Sequence, residues 1–446
     1  MKIEVSYSQI WKISWPIMLS SMANTVINFT DVAFVSRVGE IELAASALGG
    51  VFYFLMVMIS TGIGIGSQIL IARNAGEGRK QAIGSVFDNG FLVMMAITLI
   101  MLALLFLFIP YLLPAIIRND QVASSVLTYL FARGLGLLPM GVLVSLRSFY
   151  TGITLTRIIS YTTLTMMLSN LVLNYALVFG HFGFPALGLE GAGLASAIAE
   201  LLAAVYAVVY SFYHHEIKEF RLFRFEAISK SEIKNVLQIS SPIVLQNLLS
   251  MGSWFLFFIL IEKIGERELA VSNVVRSVYM VLMTPIWGFS QTANSMVSNL
   301  IGQKRDNEVL VLVRKIAGMS LAIGTICIVF SLLFSKPLFL LSTSDLNLIT
   351  ESTGSFYVVC VGTFFFSLAM IYLSAVSGTG QTRAAMNIEI VCLMAYILYA
   401  VYFTIVSPSS LEIVWCAEAL YWLMMGLISW FYLRSGKWRL LPSVGS

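Results

Sequence analysis

The chain has 446 residues, of which 58% are hydrophobic and 11% charged, whereas a soluble globular chain carries about 25% charged residues. No polar stretch is long enough for a soluble domain, so an appended catalytic domain is not expected. The net charge of +4 says little about partners until its location is known.

Apolar runs of about 20 residues, the length that crosses a bilayer, recur throughout. In chain order the expected spans are 10–36, 44–72, 84–112, 122–150, 158–180 and 188–213, then 236–262, 270–298, 314–335, 348–376, 384–406 and 411–433. Lys2 and Glu4 lead into a first run too long for a signal peptide. The expected fold is therefore an all-α integral membrane protein of twelve transmembrane helices. Its domains are an N-terminal six-helix lobe (1–213), a polar, basic linker on the cytoplasmic side (214–235) and a C-terminal six-helix lobe (236–446).

The second half repeats the first at an offset of 226 residues. Ile13, Ser14, Pro16 and Ile17 return as Ile239, Ser240, Pro242 and Ile243. Gly39, Glu42 and Leu43 return as Gly265, Glu268 and Leu269. Gly76 and Arg79 return as Gly302 and Arg305, and Gly152, Thr156 and Arg157 as Gly378, Thr382 and Arg383. One register held across several loops means a duplicated bundle. Six is even, so both copies share an orientation, a parallel repeat about an axis along the membrane normal.

With the N-terminus inside, 19 of the 27 Lys and Arg fall on the inner side, Lys2 among them, and 5 on the outer side, Arg118 among them. Arg133, Arg147 and Arg276 fall within spans. This asymmetry places both termini in the cytoplasm of a multi-pass protein of the plasma membrane. It also accounts for the basic inner loops, so no nucleic-acid partner is expected.

Charged groups in hydrocarbon are expensive and normally face a cavity or a partner. In the first span Asn24, Asn28 and Asp31 share a helical face. Asn170 and Asn174 lie one turn apart in the fifth, as do Ser196 and Glu200 in the sixth. Each amide alone reads equally well as an interhelical hydrogen bond. Together, a carboxylate, two amides and a hydroxyl offer a hard cation its preferred oxygen ligands, and the same carboxylate could take a proton. A site for Na⁺ or H⁺ is therefore expected at Asp31, Asn170, Asn174 and Ser196, with Na⁺ held by the first three.

The second half has Phe257 where the first has Asp31. Its polar candidates are Gln246, Ser250 and Ser253 in the seventh span, with Glu389 and Glu418 further on. Glu389 reads equally well as a carboxylate snorkelling near Arg383. Trp254, Phe257, Tyr279, Met283, Trp287, Tyr372 and Tyr396 could line an apolar cavity, but read more simply as packing. The four cysteines make no CxxC pair, and His181 and His214-His215 join no Ser/His/Asp or metal set. No enzyme activity and no resident cofactor are expected.

Three stretches resemble the multidrug and toxic compound extrusion (MATE) transporters. They run from Pro16 through Asn28-Phe29-Thr30-Asp31 to Gly39, from Gly66-Ser67-Gln68 to Gly76-Glu77-Gly78-Arg79, and from Asn170-Leu171-Val172-Leu173-Asn174 to Gly191-Ala192-Gly193-Leu194-Ala195-Ser196. The resemblance, to the bacterial type, covers the full length. It implies a V-shaped pair of six-helix lobes exporting cationic, amphipathic compounds in exchange for Na⁺ or H⁺. It matches that family's helix-1 aspartate to Asp31, its helix-5 pair to Asn170 and Asn174, its helix-6 hydroxyl to Ser196, and a helix-bending proline to Pro16. Some members carry acids where this chain has Asn174, Ser250 and apolar residues near Leu368, which leaves a second-half cation site open. The partners implied are small cationic molecules and the bilayer, with the chain acting as a monomer.

Two other readings fit the architecture. A major-facilitator transporter also has twelve helices in parallel halves, but the loop Arg73–Lys80 lacks that family's Asp-Arg pair. A flippase for lipids or lipid-linked oligosaccharides should show a strongly cationic cavity, for which only Arg133, Arg147 and Arg276 are available.

Overall fold

The computed structural model describes residues 3–117, 119–226, 228–340 and 342–439. Lys2 and Arg118, counted above at the two membrane faces, lie outside the described residues. Among the described residues every regular element is helical. The first half contains α1 (Tyr7–Val35), α2 (Glu40–Glu77), α3 (Lys80–Leu107), α4 (Ile109–Ile116), α5 (Asp120–Gly134), α6 (Leu137–Gly152), α7 (Arg157–Phe179) and α8 (Gly188–Tyr213). A short α9 (His215–Lys218) lies in the linker. The second half contains α10 (Lys230–Glu262), α11 (Glu266–Gly302), α12 (Val309–Leu333), α13 (Ser335–Leu340), α14 (Leu346–Gly378), α15 (Thr382–Val401) and α16 (Leu411–Arg434).

Among the described residues ten helices are long and apolar enough to cross a membrane, and α5 with α6, bent by 48°, makes an eleventh when the pair is counted as one span. The twelfth is α1. Its 29 residues suffice at about 1.5 Å per residue, but Asn24, Asn28 and Asp31 dilute its apolarity. The expected single span 122–150 is thus two helices, broken at Leu135-Gly136. A Cβ at Gly136 would lie 2.3 Å from Glu200 Oε2 and 2.7 Å from Arg133 Nη1. Glycine at the break therefore leaves room for a buried ion pair.

The duplication is visible in local geometry. α2 and α11 start behind Gly39 and Gly265, where a Cβ would meet Glu42 or Glu268 Oε2 at 2.2 Å in both copies. Each glutamate, at the third helical position, folds back over its helix start in the manner of a capping box. α2 ends on Gly78 in the left-handed region, and Lys304, its repeat equivalent, adopts φ 60°. The second copy thus makes the same turn without glycine, at a cost of about 1 kcal/mol.

Met22–Val244 form one compact unit, and residues 3–21 with 245–439 form the other. Both dividing lines fall inside helices, a few residues beyond Pro16 in α1 and Pro242 in α10. α1 nevertheless remains one continuous helix through Pro16.

The linker is folded onto the Met22–Val244 unit. Asp88 of α3, 6% exposed, accepts hydrogen bonds from the backbone N–H of Phe223 and Phe225, both 2.7 Å. Asn89 accepts from Ser229 N–H at 3.0 Å. At and just before these anchors Arg221, Phe223 and Phe225 all have positive φ, 53°, 61° and 52°. Phe223 packs edge-on against Phe87 and Phe91. In the other unit Lys315, the repeat equivalent of Asn89, donates to the carbonyl of Val5 at 2.8 Å. Arg305 donates to the carbonyl of Ile3 at 2.8 Å.

Candidate functional site

Three helices of the Met22–Val244 unit meet at one carboxylate. α7 and α8 lie close together, because a Cβ at Gly191 would sit 2.5 Å from Leu177 O. This brings Asn170 and Asn174 of α7 against Ser196 of α8, with all three buried. Asp31 of α1 completes the group. Asn174 Nδ2 donates to Asp31 Oδ1 at 2.6 Å and to Asn170 Oδ1 at 3.0 Å. Asn170 Nδ2 donates to Ser196 Oγ at 3.1 Å, and Ser196 Oγ donates to Asp31 Oδ2 at 3.1 Å. All four expected site residues therefore share one hydrogen-bonded ring.

The ring fixes the Asn174 amide, since turning it over would set its oxygen against two acceptors. In this orientation Asn174 Oδ1 is buried and has no hydrogen-bond partner. A buried acceptor left unsatisfied costs about 1–3 kcal/mol. The ring thus presents an uncommitted oxygen beside a carboxylate.

Glu200, one turn beyond Ser196 on α8, serves a different partner. Its two oxygens receive Arg133 Nη2 and Nη1 at 2.6 and 2.8 Å. Tyr53 of α2 donates to Glu200 Oε2 at 3.0 Å, and its ring lies 3.8 Å from the guanidinium carbon. Arg133 also bonds Tyr129. Arg133 was visible in the sequence only as a basic residue within a span. Its partner lies 67 positions away, so spacing gave no signal.

The other first-half candidates lie apart from the ring. Asn28 is exposed. Asn24 lines a cavity with Met140, Arg147, Tyr150, Thr163 and Met166.

In the second-half unit Glu389 is 3% exposed, held by donors rather than reaching to the surface. Gln246 Nε2 donates to its Oε2 at 2.8 Å, and Ser250 and Tyr421 donate to Oε1. Tyr421 was not expected there, having no signal beyond one aromatic among many. Repeat equivalents of Asp31, Asn170 and Ser196 are Phe257, Tyr396 and Trp422. The polar ring is replaced by aromatic packing, with Phe257 and Tyr396 centroids 5.5 Å apart. Tyr396, Tyr279 and Trp422 each donate to Glu418 at 3.0 Å.

Comparison with known proteins gives the family. The family model MatE matches residues 16–176 and 242–402, two segments in the same register as the internal repeat. The chain belongs to the MatE family, and it is a multi-pass membrane protein. A probable multidrug resistance protein NorM of Agrobacterium fabrum is 29% identical over 65% of this chain and 62% of that protein, less than two thirds of its length. The protein of the same description from Photorhabdus laumondii is 25% identical over 83% of this chain and 82% of its own.

Among solved structures, one described as the outward-facing conformation of a multidrug resistance MATE family transporter aligns with a TM-score of 0.89 at 16% identity. It covers 97% of this chain and 96% of its own. A MOP superfamily transporter from Pyrococcus furiosus aligns at 0.88 with 17% identity, covering 96% and 95%. At these identities the likeness is one of fold.

Proposed function

We propose that this chain is a secondary active transporter that exports cationic, amphipathic small molecules in exchange for a monovalent cation bound at Asp31. The observation that carries the reading is the ring itself, in which Asp31, Asn170, Asn174 and Ser196 converge from α1, α7 and α8. The donor set fits Na⁺, because a carboxylate, two amide oxygens and a hydroxyl are hard ligands and Asn174 Oδ1 has no other partner. A proton on Asp31 would leave that oxygen unsatisfied. We therefore favour Na⁺ over H⁺. Binding drives transport only through a difference in affinity between the two states of the protein.

The family and the relatives described as multidrug resistance proteins support drug export over lipid flipping. We place the protein in the plasma membrane with both termini cytoplasmic, as the distribution of Lys and Arg suggests. We expect it to act as a monomer on small molecules, without a resident cofactor, nucleic-acid partner or enzymatic turnover. The second-half set around Glu389 is assigned a secondary role.

The test is efflux of a fluorescent cation from proteoliposomes, with the Na⁺ and H⁺ gradients dissipated in turn. Efflux should fail when the Na⁺ gradient is removed and in Asp31→Asn. Undiminished efflux by Asp31→Asn would remove Asp31 from the coupling site.

A further inference from the structure

The buried ion pair beside the ring carries a further assignment, which rests on Asp31 being the cation site. Asp31 and Glu200 are both acceptors, and Ser196 and Glu200 stand one turn apart on α8. Ser196 holds Asp31, and Glu200 holds Arg133. The Arg133 and Glu200 side chains are only 13% and 5% exposed. The carboxylate that holds Arg133 is thus one helical turn from the hydroxyl that holds Asp31.

We propose that Arg133 and Glu200 set the charge of the Asp31 site, so that the empty cluster carries one net negative charge and takes one monovalent cation. Two carboxylates and one guanidinium sum to a single negative charge. One Na⁺ brings the cluster to neutrality, the state a low-dielectric interior favours. Arg133 without Glu200 would be a built-in competitor, a tethered cation beside Asp31 that needs no ion from solution. Glu200, Tyr53 and the space left by Gly136 hold it away from that role. Arg133 and Glu200 are thus positioning residues that act on the cation through Asp31, not ligands to it.

A structural ion pair and a charge-setting one differ in sign. Loss of either partner of a purely structural pair harms the site in the same sense. Under the charge assignment, Glu200→Gln leaves the empty cluster neutral and weakens Na⁺ binding by about tenfold or more, whereas Arg133→Met makes it more negative and tightens binding several-fold. The pair variant Arg133→Met/Glu200→Gln restores the single negative charge and should bind within about threefold of the parent.

The experiment is equilibrium binding of radioactive Na⁺ to the purified full-length protein in detergent, with monodispersity checked for each variant. If Glu200→Gln does not fold, Arg133→Met and the pair variant still decide the matter. Opposite shifts, or tightening in Arg133→Met with recovery in the pair variant, support the assignment. Weakening in Arg133→Met overturns it. An absence of Na⁺ binding in the parent protein overturns instead the Na⁺ reading of Asp31 on which it rests.

Discussion

Asp88→Ala should release the linker. Asp88 is buried and accepts two backbone N–H bonds at 2.7 Å, and bonds to a charged acceptor contribute about 1.5–3 kcal/mol each. Between them, Phe223 and Phe225 are held in left-handed conformations that side chains resist. Allowing for water replacing part of what is lost, the clasp should weaken by about 3 kcal/mol, so that it opens roughly a hundredfold more often. The clasped stretch carries Arg221 and Arg224, both trypsin targets. Digestion of the detergent-solubilised protein, read as the rate at which two half-length fragments form, tracks the open population when opening is fast. Asp88→Asn keeps one acceptor and should fall between the two. A cleavage rate in Asp88→Ala within twofold of the parent would refute the account of the linker as a clasp.

Gly136→Ala places a Cβ 2.3 Å from Glu200 Oε2, so it should separate the Arg133–Glu200 pair and lower thermal stability by about 2 kcal/mol; an unchanged melting curve would count against that packing. Glu389→Gln should keep most efflux in cells that lose it with Asp31→Asn, and equal loss in both would move coupling into the second half as well. The pair of Lys80 and Glu219 should matter little. The Lys80 hydrogen bond holds the Glu219 carboxyl below its usual range. Its contribution is therefore present above the unfolded value and lost only as pH falls through the lower folded one. Between about pH 6 and 8, Lys80→Ala should leave the melting temperature unchanged within about 1 °C, and a larger drop would show that the exposed pair anchors the linker.

The ring around Asp31 was legible because polar side chains in apolar helices are rare and their i, i+4 spacing survives folding. Asn170 with Asn174 is a one-turn pair that cannot help sharing a face. Asn28 shares that face but stays exposed, since a shared face does not say which part of it another helix covers. The repeat was legible because the duplicated turns keep their glycines and glutamates, as at Gly39 with Glu42 and Gly265 with Glu268. The family model's two matched segments follow the same offset.

What the sequence hid depends on contacts between distant positions. Arg133 and Glu200 meet beside the break after α5, where Gly136 leaves them room. Asp88 sits early in an apolar run and gives no hint that it grips a linker 135 residues away. Glu389 is buried by Tyr421, whose hydroxyl is indistinguishable in sequence from those of many other tyrosines.

The two anchored lead-ins have a consequence for how the duplicated halves depend on each other. α3 of the first half grips the segment that leads into α10, and α12 of the second half grips the segment that leads into α1. Each copy therefore fastens the entrance of its sibling, as in a domain-swapped dimer joined into one chain. The grips are opposite in polarity, acid to N–H in one and ammonium to carbonyl in the other. Neither copy can stand in for its sibling at this point, although both descend from one design. A chain cut within 219–222 would leave the first fragment without the strap its own third helix holds, and both pieces would have to be made together for that strap to find its place.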